Sequence, residues 1–351
     1  MKIKVAVIEK DQNYLNRITT ALISKYSDKI EVYSFTDSGI ASASMRNVSI
    51  VLAYEGCDVE SLQLSPNCSF AYLTEQIGVG RIGDYPAISK FQKLESIYKQ
   101  ILNVYSENPT GLAGTGIADG NATKIIAFMS PCGGVGTSTC AAACAMHFAA
   151  QGKKTLYLNL ETFGTASTFF EGQGQYSMSD IVLALKSRKA NLQMKIESCV
   201  SKDNSGVEFF FETAVALDQV EMESGDIIRL LSELKQAGQY DCVVVDMEFL
   251  LDRDIVRLYS QMDSVVWVSN GSDVAERKMD RAYACIETID KIDRQARIGD
   301  IGLLYNKGVK PNPSFEQHRG FRVIGYLPRY KGVNSRQIAA VLAADGCFDT
   351  I

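Results

Sequence analysis

Ser130-Pro131-Cys132-Gly133-Gly134-Val135-Gly136-Thr137-Ser138-Thr139 decides how the larger part of this chain folds. The stretch follows the apolar, β-branched run Ile125–Met129 and leads into a segment containing Ala141-Ala142-Ala143. Strand, Gly-rich turn and helix in that order make a phosphate loop. Glycines at 133, 134 and 136 let backbone N–H groups curl inward, and the helix start adds its dipole, so a polyphosphate is cradled without any side-chain charge. Ser138 stands where a hydroxyl would ligate Mg²⁺. Asp246, after the apolar run Cys242–Val245, stands where a strand-end carboxylate would hold that ion's water shell. A Gly-rich turn alone marks any tight strand-to-helix connection; the coincidence of strand, helix, hydroxyl and downstream Asp is what points to a metal–nucleotide site.

Working outward, apolar runs recur at Thr155–Leu160, Cys242–Val245, Val265–Val268, Ile301–Tyr305 and Val323–Ile324, separated by helix-length segments. Runs of this kind predict a parallel sheet covered on both faces. Upstream, Ser106–Ala122 concentrates Gly, Pro and small polar residues and reads as a linker. Before it, strand-like runs at Ile3–Ile8, Ile30–Phe35, Ile50–Tyr54 and Phe70–Leu73 alternate with helical periodicity at Tyr14–Tyr26 and Leu94–Tyr105. That pattern predicts a smaller, mostly parallel sheet. The expected fold is therefore α/β, with two doubly wound parallel-sheet domains at 1–105 and 123–351 joined by 106–122.

Composition narrows the function. The 351 residues are 46% hydrophobic and 22% charged, as in an ordinary globular protein of about two domains. A net charge of -5 argues against a broad nucleic-acid surface, and Lys186–Lys189 reads as a solvated helix end. No apolar run approaches the ~18 residues that span a bilayer, so direct membrane insertion is not expected and a cytoplasmic location is. The nine cysteines form no CxxC pair or metal-ligand spacing and read as reduced thiols, with Cys140 and Cys144 packing a helix on a sheet. His147 and His318 are the only histidines, and neither builds a nucleophilic triad.

The second half resembles the MinD/ParA group of P-loop ATPases, whose signature is Lys-Gly-Gly-x-Gly-Lys-[Thr/Ser]-Thr. The glycines match Gly133, Gly134 and Gly136, and the Mg²⁺ hydroxyl matches Ser138, whereas Cys132 and Thr137 stand in place of both lysines. The resemblance implies that Gly133, Gly134, Val135, Gly136, Thr137, Ser138 and Thr139 hold ATP, with Ser138 and Asp246 on Mg²⁺. The group's acidic pair, which helps place the attacking water, corresponds to Asn159-Leu160-Glu161, leaving Glu161 as the catalytic candidate. Its metal-strand pattern survives as Tyr240-Asp241-Cys242-Val243-Val244-Val245-Asp246, without the usual Pro-Pro at Glu248-Phe249. Its adenine-reading Asn and Gly-x-x-Pro match Asn306 and Gly325-Tyr326-Leu327-Pro328. A charge-assisted hydrogen bond contributes roughly 1.5–3 kcal/mol, so losing the loop lysine weakens ATP binding by one or two decades. Hydrolysis suffers more, because a cation at the γ-phosphate is worth about 10³–10⁵ in rate. Arg277, Lys278 and Lys307 are candidates to replace it.

Residues 1–105 resemble a response-regulator receiver. Glu9 and Asp11 match its acidic pair, Thr74 and Lys90 its later conserved positions, but the phosphoacceptor position holds Tyr54, with Glu55 next. A degenerate receiver followed by a MinD/ParA-like domain is similar to the TadZ/CpaE group. That resemblance implies a dimeric, nucleotide-dependent scaffold that marks the cell pole and recruits tight-adherence (Flp, type IVb) pilus assembly proteins, with ATP as a structural ligand. The alternatives are a working ParA- or MinD-type ATPase for positioning or segregation, and a regulator switched by phosphorylation of the first domain.

Overall fold

Both sheets foreseen from the apolar runs form. The computed structural model describes residues 2–39, 41, 47–108, 122–188, 191–251, 257–292, 301–308 and 321–351. The chain divides into two compact units, Met1–Thr115 with Leu183–Cys199, and Gly116–Val182 with Val200–Ile351. Most of the expected linker, together with Lys189 and His318, lies outside the described residues.

In the first unit, β1 (Ile3–Ile8), α1 (Gln12–Tyr26), β2 (Ile30–Phe35), β3 (Ile50–Tyr54), β4 (Ser69–Thr74), β5 (Arg81–Ile82), β6 (Tyr85–Ser89) and α2 (Leu94–Ser106) follow one another. The strands are ordered β2-β1-β3-β4-β6-β5, parallel except for the β5–β6 pair. Because strand side chains alternate, the central strands feed two cores. Val5, Val7, Ile50 and Leu52 pack with Leu15 and Leu22 of α1 and Ile97 and Ile101 of α2, while Ala6, Ile8, Val51 and Ala53 pack with Leu62 and Phe70 on the opposite face.

Leu183–Cys199, expected within the second domain, is counted with the first unit because the helix Leu192–Cys199 packs along α2. Met194 joins the α1–α2 core, Asn191 N donates to Ser106 O at 2.9 Å, and Lys195 Nζ donates to Asn103 Oδ1 at 2.5 Å. Glu197 pairs with Lys29 and accepts from Tyr98 Oη at 3.3 Å.

The second unit contains β7 (Lys124–Met129), α3 (Thr137–Ala150), β8 (Thr155–Asn159), β9 (Ser201–Lys202), β10 (Glu208–Phe209), β11 (Cys242–Asp246), β12 (Ser264–Ser269), β13 (Ile301–Tyr305) and β14 (Arg322–Tyr326). Their order is β14-β13-β12-β7-β11-β8-β10-β9. All neighbours are parallel except β10–β9, a short edge hairpin that no apolar run announced. From Cys140 to Phe148 every residue of α3 is buried. That is why the helix is built of Ala and Cys: small side chains bring it close to the sheet on one side and to the helix Ser335–Leu342 on the other. His147 is a packing residue, its ring nitrogens 2.8 Å from Ala343 O and 2.9 Å from Asp349 Oδ1. Among the described residues, no helix is long and apolar enough to cross a membrane.

Candidate functional site

The residues singled out for nucleotide and metal lie at or just beyond the C-terminal ends of the parallel strands of the larger sheet. β7 runs into the Gly-rich loop, β8 into Asn159 to Glu161, β11 ends on Asp246, and Asn306 and Pro328 follow β13 and β14. The order places β7 between β11 and β12, where the winding direction reverses and open α/β sheets form their ligand crevice.

The loop is shaped by its backbone. Gly136, at φ 96°, is the N-terminal cap of α3, and a Cβ there would lie 2.5 Å from Asn306 Nδ2, so only glycine fits. Val135 is buried beneath the loop, and Ser130 Oγ donates to Val268 O at 2.7 Å and accepts from Cys132 N at 3.1 Å. With no side-chain cap and no acid in the first turn, the N-terminus of α3 leaves its N–H groups and dipole for an anion. Thr137, Ser138 and Thr139 are half-buried there.

Asn306 is 5% exposed; its Nδ2 donates to Val135 O at 2.9 Å and its Oδ1 accepts from Lys307 N at 2.8 Å. Both ends of the amide expected to read adenine are therefore engaged in holding the loop. Pro328 is exposed and sits beside the same turn, since the neighbouring Leu327 bonds Tyr305 O through N at 2.7 Å and accepts from Gly308 N at 2.9 Å. Of the three candidate cations, Lys307 reaches the loop, its Nζ 2.5 Å from Gly134 O. Arg277 and Lys278 are exposed on the helix Asp273–Ile292. Cys132 packs on the core beneath the loop.

Sheet register builds the metal side. Asp246 lies opposite Asn159, and Tyr157, two residues back, shares that face. Asp246 is fully buried; its Oδ2 accepts from Tyr157 Oη at 2.7 Å and Asn159 Nδ2 at 3.3 Å, and its Oδ1 has no hydrogen-bond partner among the described residues. Ser138 Oγ donates to Glu161 Oε2 at 3.2 Å, and Glu161 N donates to Asn159 Oδ1 at 3.0 Å. An orphaned buried carboxylate oxygen near a loop hydroxyl fits a hard cation that takes its remaining ligands from phosphate and water, as Mg²⁺ does. Tyr157 and Gly164 were not singled out from sequence. A Cβ at 164 would lie 1.8 Å from Asn159 Oδ1. The signal for Tyr157 is its i, i+2 relation to Asn159, which acquires meaning only once β8 is placed beside β11.

Burial, then the charge of Glu161, pushes the Asp246 carboxyl from 3.8 up to about 7, partly offset by the Tyr157 and Ser138 hydroxyls. Burial also raises Glu161, opposed by the Ser138 hydrogen bond and reinforced by Glu248. Between those two values the unfolded chain releases the Asp246 proton while the folded chain keeps it, so folding stability falls as pH rises from about 4 to about 7 and levels off above. Metal-free protein is expected to show this fall in urea denaturation with EDTA present, and Asp246→Asn to flatten it. An unchanged profile contradicts the assignment.

In the first unit the receiver-like positions bond to one another or to the backbone. Lys90 Nζ lies 2.7 Å from Glu9 Oε2 with both side chains buried, and Asp11 caps α1, accepting from Asn13 N at 2.9 Å and Tyr14 N at 3.2 Å. Thr74 Oγ1 donates to Glu55 Oε2 at 2.9 Å, and Lys10 Nζ lies 4.3 Å from the centre of the Tyr54 ring, at the end of β3 where a phosphoacceptor would stand. Removing one member of a buried ion pair costs about 3 kcal/mol or more. Lys90→Met in the full chain is therefore expected to speed hydrogen exchange of the slowest β1 amides roughly a hundredfold. Wild-type exchange rates in the variant would contradict a stabilising buried pair.

Residues 1–106 match the family described as "TadZ-like, receiver domain", and residues 123–298, half of the chain, match the family described as "AAA domain". No curated protein matches. Among solved structures, the ParA family ATPase from Chlorobium tepidum TLS is 17% identical over 65% of this chain and 96% of its own, with a TM-score of 0.52. The MinC:MinD cell division protein complex of Aquifex aeolicus is 19% identical over 65% of this chain and 93% of its own, with a TM-score of 0.48. At these identities the likeness is one of fold. The chain belongs to the AAA-domain family, its larger unit has a ParA-like P-loop fold, and its first 106 residues match the TadZ-like receiver domain.

Proposed function

We propose that this chain binds ATP with Mg²⁺, pairs with a second copy in that state, and serves as a cytoplasmic scaffold at the cell pole for tight-adherence (Flp, type IVb) pilus assembly proteins, hydrolysing ATP slowly or not at all. The observation that carries the nucleotide part is the junction of an uncapped helix N-terminus with the unpartnered Oδ1 of Asp246. Gly133 to Thr139 would cradle the phosphates, and Ser138 and Asp246 would hold the ion, whose role is to neutralise charge between the phosphate oxygens. The pilus role is supported by the match of the first 106 residues to the TadZ-like receiver. Slow turnover is supported by Cys132 and Thr137 at the lysine positions, and by Asn159 where the group has an acid. The buried Glu9–Lys90 pair and Tyr54 at the phosphoacceptor position support an interaction role for the first domain over a phosphorylation switch.

A second reading, an ATPase that cycles between states, draws on Lys307 at the loop and on Glu161 beside Ser138, where it could orient water. The scaffold reading is tested by sedimentation of the full chain with ATP-Mg²⁺, with ADP-Mg²⁺ and with EDTA. Dimers that form in ATP-Mg²⁺ and persist for hours are expected. Protein that remains monomeric at saturating ATP-Mg²⁺ contradicts it, and dimers that form and then decay favour the cycling ATPase.

A further inference from the structure

We propose that Lys307, on the turn after β13, supplies the cation that the phosphate loop lacks, binding β- and γ-phosphate oxygens in place of the lysines absent at Cys132 and Thr137. The inference rests on the ATP reading above and names the residue that makes it workable.

Three observations carry it. First, Lys307 Nζ already lies at the loop, 2.5 Å from Gly134 O, and its Cε would be 3.8 Å from a Cβ placed on Gly136. A neutral carbonyl is a weaker acceptor than an anionic oxygen, so an entering polyphosphate competes for the ammonium and draws it inward from Gly134. Second, the turn is held for this purpose. Lys307 adopts φ 69°, unfavourable for any residue but glycine, and is kept there by Asn306 Oδ1 on its own N–H and by Gly308 N on Leu327 O. Asn306 in turn bonds Val135 O, so one turn both props the loop and delivers its charge. Third, the site needs a cation. The lysine positions of the loop hold Cys132 and Thr137, Glu161 stands at the start of α3 on Ser138 Oγ, and a triphosphate carries more negative charge than one Mg²⁺ offsets.

Placing the cation on a neighbouring strand end has a consequence that a loop lysine would not. Loop and lysine belong to different segments, so a bound polyphosphate ties the β13 turn to the start of α3 and favours the docked arrangement of both.

The test is equilibrium binding of ATP, ADP and AMP, each with Mg²⁺, to the full-length protein by calorimetry. Lys307→Gln is expected to weaken ATP about ten- to a hundredfold and AMP little, because AMP carries neither the β- nor the γ-phosphate. Lys307→Arg is expected to retain most of the affinity, and adding Thr137→Lys to Lys307→Gln to restore it. ATP affinity unchanged in Lys307→Gln overturns the proposal and leaves the ATP reading standing. An equal loss for all three nucleotides assigns Lys307 a structural role and also overturns it. Wild-type protein that binds no ATP removes the ATP reading and this proposal together.

Discussion

A carboxylate withdrawn from water with one oxygen unpartnered is expensive, and the site in the larger unit is organised around that demand. The Tyr157 hydroxyl and Asn159 amide satisfy one oxygen of Asp246 and leave the other, Oδ1, without a hydrogen-bond partner among the described residues. In the absence of a cation, burial and Glu161 raise the proton affinity of the group. A hard cation would remove the penalty by giving the buried charge a counter-charge, with Asp246 and Ser138 the residues that would hold it. The same strand ends that place Asp246 place the loop backbone, so a metal and a phosphate bound there would share one crevice.

The loop shows how a phosphate cradle persists without its usual lysines. Its curl is fixed from below by Val135 in the core, from one side by Ser130 on Val268, and from the other by the Asn306 amide on Val135. None of these restraints involves the phosphate itself. The cradle is therefore set by the fold and the side-chain charge is a separable addition, which is why Cys132 and Thr137 can stand at the lysine positions with the backbone intact.

Much of this was legible in the sequence. The strands lie where the β-branched runs lie, because strands buried on both faces must be nearly continuous in apolar residues. Gly136, Ser138 and Asp246 could be read because a phosphate loop constrains residue type at fixed offsets. What escaped depended on strand order. Tyr157 looks like one more apolar residue until β11 is known to lie beside β8. Asn306 also props the loop through Val135 O, a contact that shows only once β13 is placed in the sheet. The helix Leu192–Cys199 gives no sign in its own periodicity that its partner is α2, because amphipathicity shows that a face is covered and not by what. The edge hairpin β9–β10 is two residues a strand, below the length at which alternation can be read.

The account's central claim is that the chain holds Mg²⁺-ATP in a backbone cradle that is poorly equipped to break it down. The direct measurement follows trace labelled ATP mixed with excess full-length protein and Mg²⁺, separated from free nucleotide and chromatographed over hours. The account predicts label that stays with the protein as ATP; label that binds and converts steadily to ADP would contradict it.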